Sequence, residues 1–343
     1  MIRFEKKKLT IKLKDPFLGF KVHEQEIELR KDPLTGRTCR INVERSKRPH
    51  QIEKVRKGLE GLIRESKKKC PFCEDNILKS TPKFVDFKER FFKGESVLFP
   101  NLYPFGLFHA TVVFTAKKHF LKLNEISQRL WFDSLRNAID FLKLANERKR
   151  RFRYPNVSFN YLPPAGASIV HPHFQVVLDM KPTSFCDLIL KKSLAYYKRF
   201  NSNFWRDLVR EEKRKKERFI GKLGNLNWIA NFAPIKSGQI SGILDRKISS
   251  ITALGKKELK GLAEGISGIL KRVWVSGVRS MNLSILSGPI GENISDFFTL
   301  HVTIIPRPNL FPYASDMGFM EILHQEPVID VLPEDVAKSL RLS

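Results

Sequence analysis

Two short stretches of this chain hold residue types whose spacing could do chemistry. His171-Pro172-His173-Phe174-Gln175 opens an apolar run that continues Val176-Val177-Leu178. In a strand, alternate side chains share a face, so His171, His173 and Gln175 project together while Pro172 and Phe174 point the other way. Burying three polar groups without partners is costly, so the pattern reads as a site rather than as core. The preceding loop, Ala165-Gly166-Ala167-Ser168, adds backbone N–H groups and a hydroxyl beside that face, which suits an anion such as phosphate. The second stretch is Cys70-Pro71-Phe72-Cys73. A lone C-x-x-C is a metal half-site or a redox pair. Cys39 and Cys186 form no second pair, so a metal site would draw on the eight histidines. Asn76 and Pro82 predict a loop after the motif instead of a long helix, and the metal reading is preferred over the redox one.

One picture joins the two stretches. One of the paired histidines completes a tetrahedral zinc site with Cys70, Cys73 and another histidine, since zinc takes sulfur and nitrogen ligands in this way. Ligands spread this far along the chain exclude a compact zinc finger and fit a clamp that pins strands and loops together. The other histidine stays free, and its neutral imidazole could attack phosphorus to give a covalent intermediate.

These residues need elements to position them. The pattern predicts strands at Leu9–Leu13, Arg40–Val43, Ser96–Phe99 and Ala110–Phe114, then an amphipathic helix capped by Asn124 with Ile126, Leu130, Leu135, Ile139 and Leu142 on its apolar stripe. Strands at Val157–Leu162 and Val170–Leu178 flank the loop that begins at Pro163, and a charged helical region covers roughly 184–219. The second half repeats this order, with strands at Asn227–Ala233 and Ile240–Leu244, a helix at Lys256–Val275, and strands at Asn282–Leu286 and Phe297–Ile305 around a Gly/Pro loop. The expectation is an α+β protein of two related units, each a mostly antiparallel sheet with a helix on one face.

Length and composition bound the rest. The 343 residues carry 62 Lys+Arg against 36 Asp+Glu, a formal charge of +26, yet 42% are hydrophobic and 27 are Phe, which excludes a disordered chain. No apolar stretch approaches the roughly 20 residues of a membrane span, and the basic start lacks the apolar core of a secretory signal. Four cysteines are too few for a disulfide scaffold. The expectation is a cytoplasmic protein with no membrane partner. Basic runs such as Lys213-Arg214-Lys215-Lys216 are interleaved with glutamates and read as solvated helix faces. Nucleic acid is therefore not the expected partner, although a zinc-containing nucleic-acid-binding protein is the reading of another class.

Taken together, the motifs resemble the galactose-1-phosphate uridylyltransferases of the histidine-triad superfamily. The resemblance lies in Glu28-Leu29-Arg30-Lys31-Asp32-Pro33-Leu34-Thr35-Gly36, in Glu44-Arg45-Ser46-Lys47-Arg48-Pro49, in Cys70-Pro71-Phe72-Cys73, in Phe99-Pro100-Asn101 and the later His119, and in Asn160, Gly166, Ser168 and the His171–Gln175 run. It implies two duplicated histidine-triad-like units, here 1–183 and 223–343, with a helical connection at 184–222. It implies one structural zinc on Cys70, Cys73, His119 and His171, and His173 as the nucleophile that becomes nucleotidylated. By the same resemblance Gln175 bonds a phosphoryl oxygen, Gly166 and Ser168 meet phosphate, and Arg45 and Arg48 hold the nucleotide phosphates. Asn101 would lie near the ribose and Asn160 near the reacting phosphate. The implied substrates are a nucleotide sugar and a sugar 1-phosphate, with UDP-glucose–hexose-1-phosphate uridylyl transfer as the leading activity. An ADP-sugar or dinucleoside-polyphosphate phosphorylase of the same machinery is the alternative. A homodimer is also implied. In the second half the family's His-x-His reads Thr299-Leu300-His301, so a second metal is not expected. His301 either lines the substrate pocket or is a satisfied strand residue, and Glu321 or Gln325 could touch the sugar.

Overall fold

A computed structural model describes residues 2–47, 58–308 and 316–342. Strands β1 (Glu5–Asp15), β2 (Lys21–Lys31) and β3 (Thr38–Ile41) come first, then helices α1 (Leu59–Lys67) and α2 (Glu74–Ser80). The first main unit adds β4 (Phe91–Lys93), β5 (Ser96–Pro100), β6 (Phe108–Val113), α3 (Gln128–Arg148), β7 (Tyr154–Tyr161) and β8 (His173–Asp179). Helices α4 (Ser184–Phe200) and α5 (Phe204–Lys215) lead to β9 (Phe219–Leu223), β10 (Leu226–Ala230), β11 (Ile240–Leu244), α6 (Lys256–Val275), β12 (Ser280–Leu286) and β13 (His301–Arg307). The chain closes with α7 (Phe319–Leu323), β14 (Val328–Ile329) and α8 (Pro333–Leu340).

Both expected units are present, and they join edge to edge into one ten-stranded antiparallel sheet ordered β4-β5-β6-β8-β7-β12-β13-β11-β10-β9. The order is palindromic: β7 and β12 meet in the middle and each half mirrors the other outward. Register makes the correspondence exact to the residue. One row runs Phe99, Thr111, Gln175, Ser158 and, across the centre, Ser284, Thr303, Ser241, Ile229. Ser158 and Ser284 hydrogen-bond to each other at 3.1 Å where the two halves meet.

Alternation along these strands sorts the two faces. Phe174, Val176, Val157, Phe159, Leu283, Ile285, Val302 and Ile304 pack with α3 and α6 in one large core. Trp131 of α3, almost fully buried, lies parallel to Phe174 at 6.0 Å between ring centroids; burying such a ring contributes about 2–3 kcal/mol. The opposite face carries the polar row. Over the first half it is covered by α2 and the Cys70–Cys73 loop, and over the second half by α5.

Three local expectations change. Ser127, not Asn124, caps α3, its hydroxyl accepting from Leu130 N at 3.2 Å; Leu123–Glu125 instead forms a short 3-10 turn. The charged helical region is two helices, because Asn201 turns left-handed (φ 48°) and Asn203 caps α5 by accepting from Trp205 N. The segment after Cys73 is the short helix α2 rather than a loop. Strands β1 and β2 form a long hairpin that belongs to a separate four-stranded sheet, β1-β2-β3-β14. This sheet is bolted down by buried charge: Arg30 forms a two-bond pair with Glu334 of α8, both at 3.0 Å, and Arg218 reaches the same carboxylate at 2.8 Å. No helix among the described residues is long and apolar enough to cross a membrane.

Candidate active site and metal centre

Cys73 caps α2, and Cys70 sits one turn earlier with its carbonyl held by Asn76 Nδ2 at 2.9 Å. The motif therefore presents both sulfurs on one side of a fixed loop. His119 follows β6, and His171 lies in the loop two residues before β8, outside the strand that the sequence pattern places at Val170–Leu178. The two sulfurs and two imidazoles each offer one atom, all within 4.8 Å of one another. Cys70 Sγ lies 3.5 Å from His171 Nδ1, Cys73 Sγ 3.4 Å from His119 Nδ1 and 3.8 Å from His171 Nδ1. A tetrahedral ion with ordinary sulfur and imidazole bond lengths needs S···N edges of about 3.5 Å, so this group could hold a metal ion with a closed shell. The outer nitrogens agree: His171 Nε2–H donates to the Thr115 carbonyl at 2.7 Å and His119 Nε2–H to Ser66 Oγ at 2.9 Å. Each bond fixes the tautomer that leaves Nδ1 as a lone pair. Burial holds His171 down at about 4, in its neutral ligand form. Burial, and after it the charge of Cys70, pushes the Cys73 thiol up to about 11, a cost that a bound cation reverses.

His173 is the first residue of β8, paired with Val113. It is 8% exposed, and its Nδ1–H donates to the His171 carbonyl at 2.8 Å. That bond leaves Nε2 as the free, lone-pair nitrogen. Burial lowers the pKa of His173, so the ring is neutral and nucleophilic. Phe72, between the two cysteines, packs edge-on to the His173 ring at 5.2 Å. The metal loop thus buttresses the imidazole directly.

Gln175 lies two residues on, on the same face. Its Oε1 accepts from His109 Nε2 at 2.9 Å, while His109 Nδ1 accepts from Phe105 N at 3.3 Å. No motif of the sequence singles out His109. Here it orients the Gln175 amide, turning the NH2 group toward the site. Thr111, opposite Gln175, accepts from Asn101 Nδ2 at 3.1 Å, and Asn101 Oδ1 takes Tyr103 N at 2.9 Å. Asn160 Oδ1 accepts from Asn282 Nδ2 at 2.8 Å, a bond across the centre of the sheet. Its own Nδ2 faces Gly166, whose left-handed backbone (φ 85°) brings the loop close. Leu162, which enters that loop, holds φ 70° and ψ 162°, a region that costs non-glycine residues about 1–3 kcal/mol. Ser168 is exposed on the same loop.

The remaining expected residues sit on other elements. Arg45 lies in the turn Val43–Lys47 that leaves the smaller sheet after β3. Arg48 lies outside the described residues. Glu321 caps α7, its carboxylate accepting from Gly318 N at 2.9 Å, and Gln325 occupies a turn with φ 51°. In the second half the counterpart of His171 is Thr299, whose hydroxyl donates to Asn203 Oδ1 at 3.3 Å, while Asn203 Nδ2 holds the Ser295 carbonyl at 3.0 Å. Asn203 stands at the N-cap of α5 as Cys73 stands at that of α2, but only Asn203 bonds the helix N-terminus through its side chain. A neutral hydrogen-bonded cluster therefore stands where the first half has its sulfur and imidazole donors, and it does not fit a second metal of that kind.

The palindromic sheet of two like units, each with one long helix (α3, α6) packed on the same core face, is the fold of solved uridylyltransferase-like structures. Solved structures make the likeness particular: an ADP-glucose phosphorylase from Arabidopsis thaliana with bound ADP-glucose matches with a TM-score of 0.72, over 92% of this chain and 99% of that one, at 22% identity. A galactose-1-phosphate uridylyltransferase-like protein from the same plant gives 0.69 at 21% identity over 91% of this chain and 98% of its own, and a uridylyltransferase 0.67 at 18% over 91% and 97%. An uncharacterised protein of Archaeoglobus fulgidus is 29% identical over 328 residues, 94% of each chain. No protein-family model matches the chain.

Proposed function

We propose that this protein transfers a nucleotidyl group from a nucleotide sugar through a covalent intermediate on His173. The observation that carries the reading is the His173 Nδ1–H bond to the His171 carbonyl, which leaves Nε2 as the free nitrogen beside Gln175 and the Gly166 loop. His173 Nε2 attacks the α-phosphorus. The P–N bond forms as the bridging P–O bond breaks, and the sugar 1-phosphate leaves with the bridging oxygen and its electron pair. The imidazolium so formed keeps its Nδ1–H on the carbonyl. An oxygen of the incoming acceptor phosphate then attacks the same phosphorus, the P–N bond breaks, and His173 returns to its neutral state. Gln175, oriented by His109, donates to a phosphoryl oxygen, and Asn160, Gly166 and Ser168 line the path of the phosphates. Asn101 meets the ribose. Arg45 and Arg48 complete the charge balance on the phosphates. Zinc on Cys70, Cys73, His119 and His171 is structural and supplies rigidity to the loop behind His173.

UDP-glucose as donor and a hexose 1-phosphate as acceptor is the leading substrate pair, as the sequence motifs imply. A second reading, in which inorganic phosphate releases a nucleoside diphosphate from an ADP-sugar, is supported by the likeness to the ADP-glucose phosphorylase. Intact-mass spectrometry after mixing with UDP-glucose or ADP-glucose tests both. A uridylyl or adenylyl adduct that disappears in His173→Ala is the expected result, and chasing the adduct with galactose 1-phosphate or with phosphate identifies the acceptor. Full activity in His173→Ala defeats the mechanism.

A further inference from the structure

The palindromic register assigns a partner to every residue of the site face. Asn101 corresponds to Asn231, each following the second strand of its half, and His109 to Gln239, since Asn101 N bonds the His109 carbonyl at 2.9 Å and Asn231 N the Gln239 carbonyl at 3.2 Å. Thr111 corresponds to Ser241, Gln175 to Thr303 and His173 to His301. A side-chain bond joins each pair too, with the amide reversed in the second half. Asn101 Nδ2 donates to Thr111 Oγ1, and Ser241 Oγ donates to Asn231 Oδ1 at 2.9 Å. His173 and His301 both bond the carbonyl two residues earlier, His301 Nδ1 at 2.9 Å from Thr299 O.

These second-half residues line a cleft of about 790 Å³ including its open mouth. Trp205 lies parallel to the His301 ring at 3.9 Å and Phe185 forms another wall, with Arg37 at the mouth, its guanidinium 5.8 Å above the Phe185 ring. Asn231 Nδ2, Gln239 Nε2 and His301 Nε2 have no hydrogen-bond partner among the described residues, whereas the carbonyl oxygens of both amides do. Polar edges left open toward an aromatic-walled cleft mark a binding site rather than packing.

We infer that this second-half cleft is a non-catalytic nucleotide pocket, taking the base between the aromatic walls against Asn231 and Gln239, with its phosphate at the mouth beside Arg37. It lacks the first half's set: Asp296 stands five residues before His301 where Ser168 stands five before His173, Thr303 replaces Gln175, and Trp205 covers the imidazole face. The pocket follows from geometry; the ligand class rests on the nucleotide reading of the first half.

The test is isothermal titration of the full, metal-loaded chain with ADP and, separately, with UDP. Wild type is compared with Phe185→Ala, Asn231→Leu and Gln175→Ala. Two equivalents per chain are expected with at least one of the probes. One site weakens about tenfold in Phe185→Ala and Asn231→Leu, the loss typical of a missing contact, and the other weakens in Gln175→Ala. Phe185 is partly exposed, so its truncation leaves the fold intact and decides the matter if Asn231→Leu does not fold. A single site sensitive only to Phe185 and Asn231 keeps the pocket and defeats the nucleotide reading of the first half. Binding insensitive to both, or no binding of either probe, overturns the inference.

Discussion

The two halves of the sheet share a scaffold to the residue and differ in what they do with it. In the first, two thiols and two imidazoles gather at the loop behind His173. In the second, Asn203, Thr299 and a backbone carbonyl occupy that place, and Trp205 lies on the face of His301 where Phe72 only touches the edge of His173. The lesson is that a strand register can hold two histidines in the same pose while the elements covering them decide whether either can react. Chemistry here belongs to the cover as much as to the strand.

Substitutions can break this comparison, and the largest effect is expected at the proposed nucleophile. His173→Ala should abolish the nucleotidyl adduct and lower turnover on the order of 10⁴-fold, whereas His301→Ala should leave adduct formation in place, as intact-mass spectrometry would show. Next come the two covers. Cys70→Ala should lose bound metal and about 3 kcal/mol or more of stability, since binding energy of a structural ion is folding energy. Thr299→Val, at the second-half counterpart of the ligand-group residue His171, should cost about 1 kcal/mol and leave metal content unchanged. Metal analysis with denaturant unfolding separates the pair, and equal losses would show that the halves are not built differently.

A pH titration sharpens the comparison on the second half. Burial holds His301 down at about 4, below the ordinary histidine value of 6.5. The unfolded chain thus takes up this proton first as pH falls. The stability that neutral His301 contributes is complete above about pH 6.5 and is lost progressively toward pH 4, amounting to about 3 kcal/mol. His301→Gln should unfold with a correspondingly shallower pH dependence over that window, and an unchanged slope would place the acid sensitivity elsewhere. The smallest effect belongs to the shared centre. Ser284→Ala removes one half of the bond to Ser158 and should cost about 0.5–1 kcal/mol, with adduct formation unaffected.

Much of the first-half site was legible because its residues are contiguous or nearly so: Cys70 with Cys73, and His171 with His173 and Gln175, announce themselves by spacing. The duplicated order of elements was legible for the same local reason, through periodicity and turns. His109 was not, because a single histidine in a fully buried strand gives no signal until its neighbour across the ladder is known to be Gln175. Asn231, Gln239 and Ser241 were hidden more deeply. They share no residue run with Asn101, His109 and Thr111, and only pairing register, a long-range property, makes them equivalents. The break at Asn201–Asn203 was missed because the charged residues flanking it read as one helical face, although the uncharged Asn201-Ser202-Asn203 run carries turn and N-cap residues.

The buried pairing of Arg30 with Glu334, and of Arg218 with the same carboxylate, fixes an order of events as the chain leaves the ribosome. The hairpin that contains Arg30 emerges before any strand of the ten-stranded sheet and can pair with itself at once. Its guanidinium, however, keeps only Glu28 as an acidic partner until Glu334 is made, and β3 keeps an open edge until β14 arrives. The smaller sheet is therefore started first and finished last, and synthesis of the entire ten-stranded sheet falls between the two events.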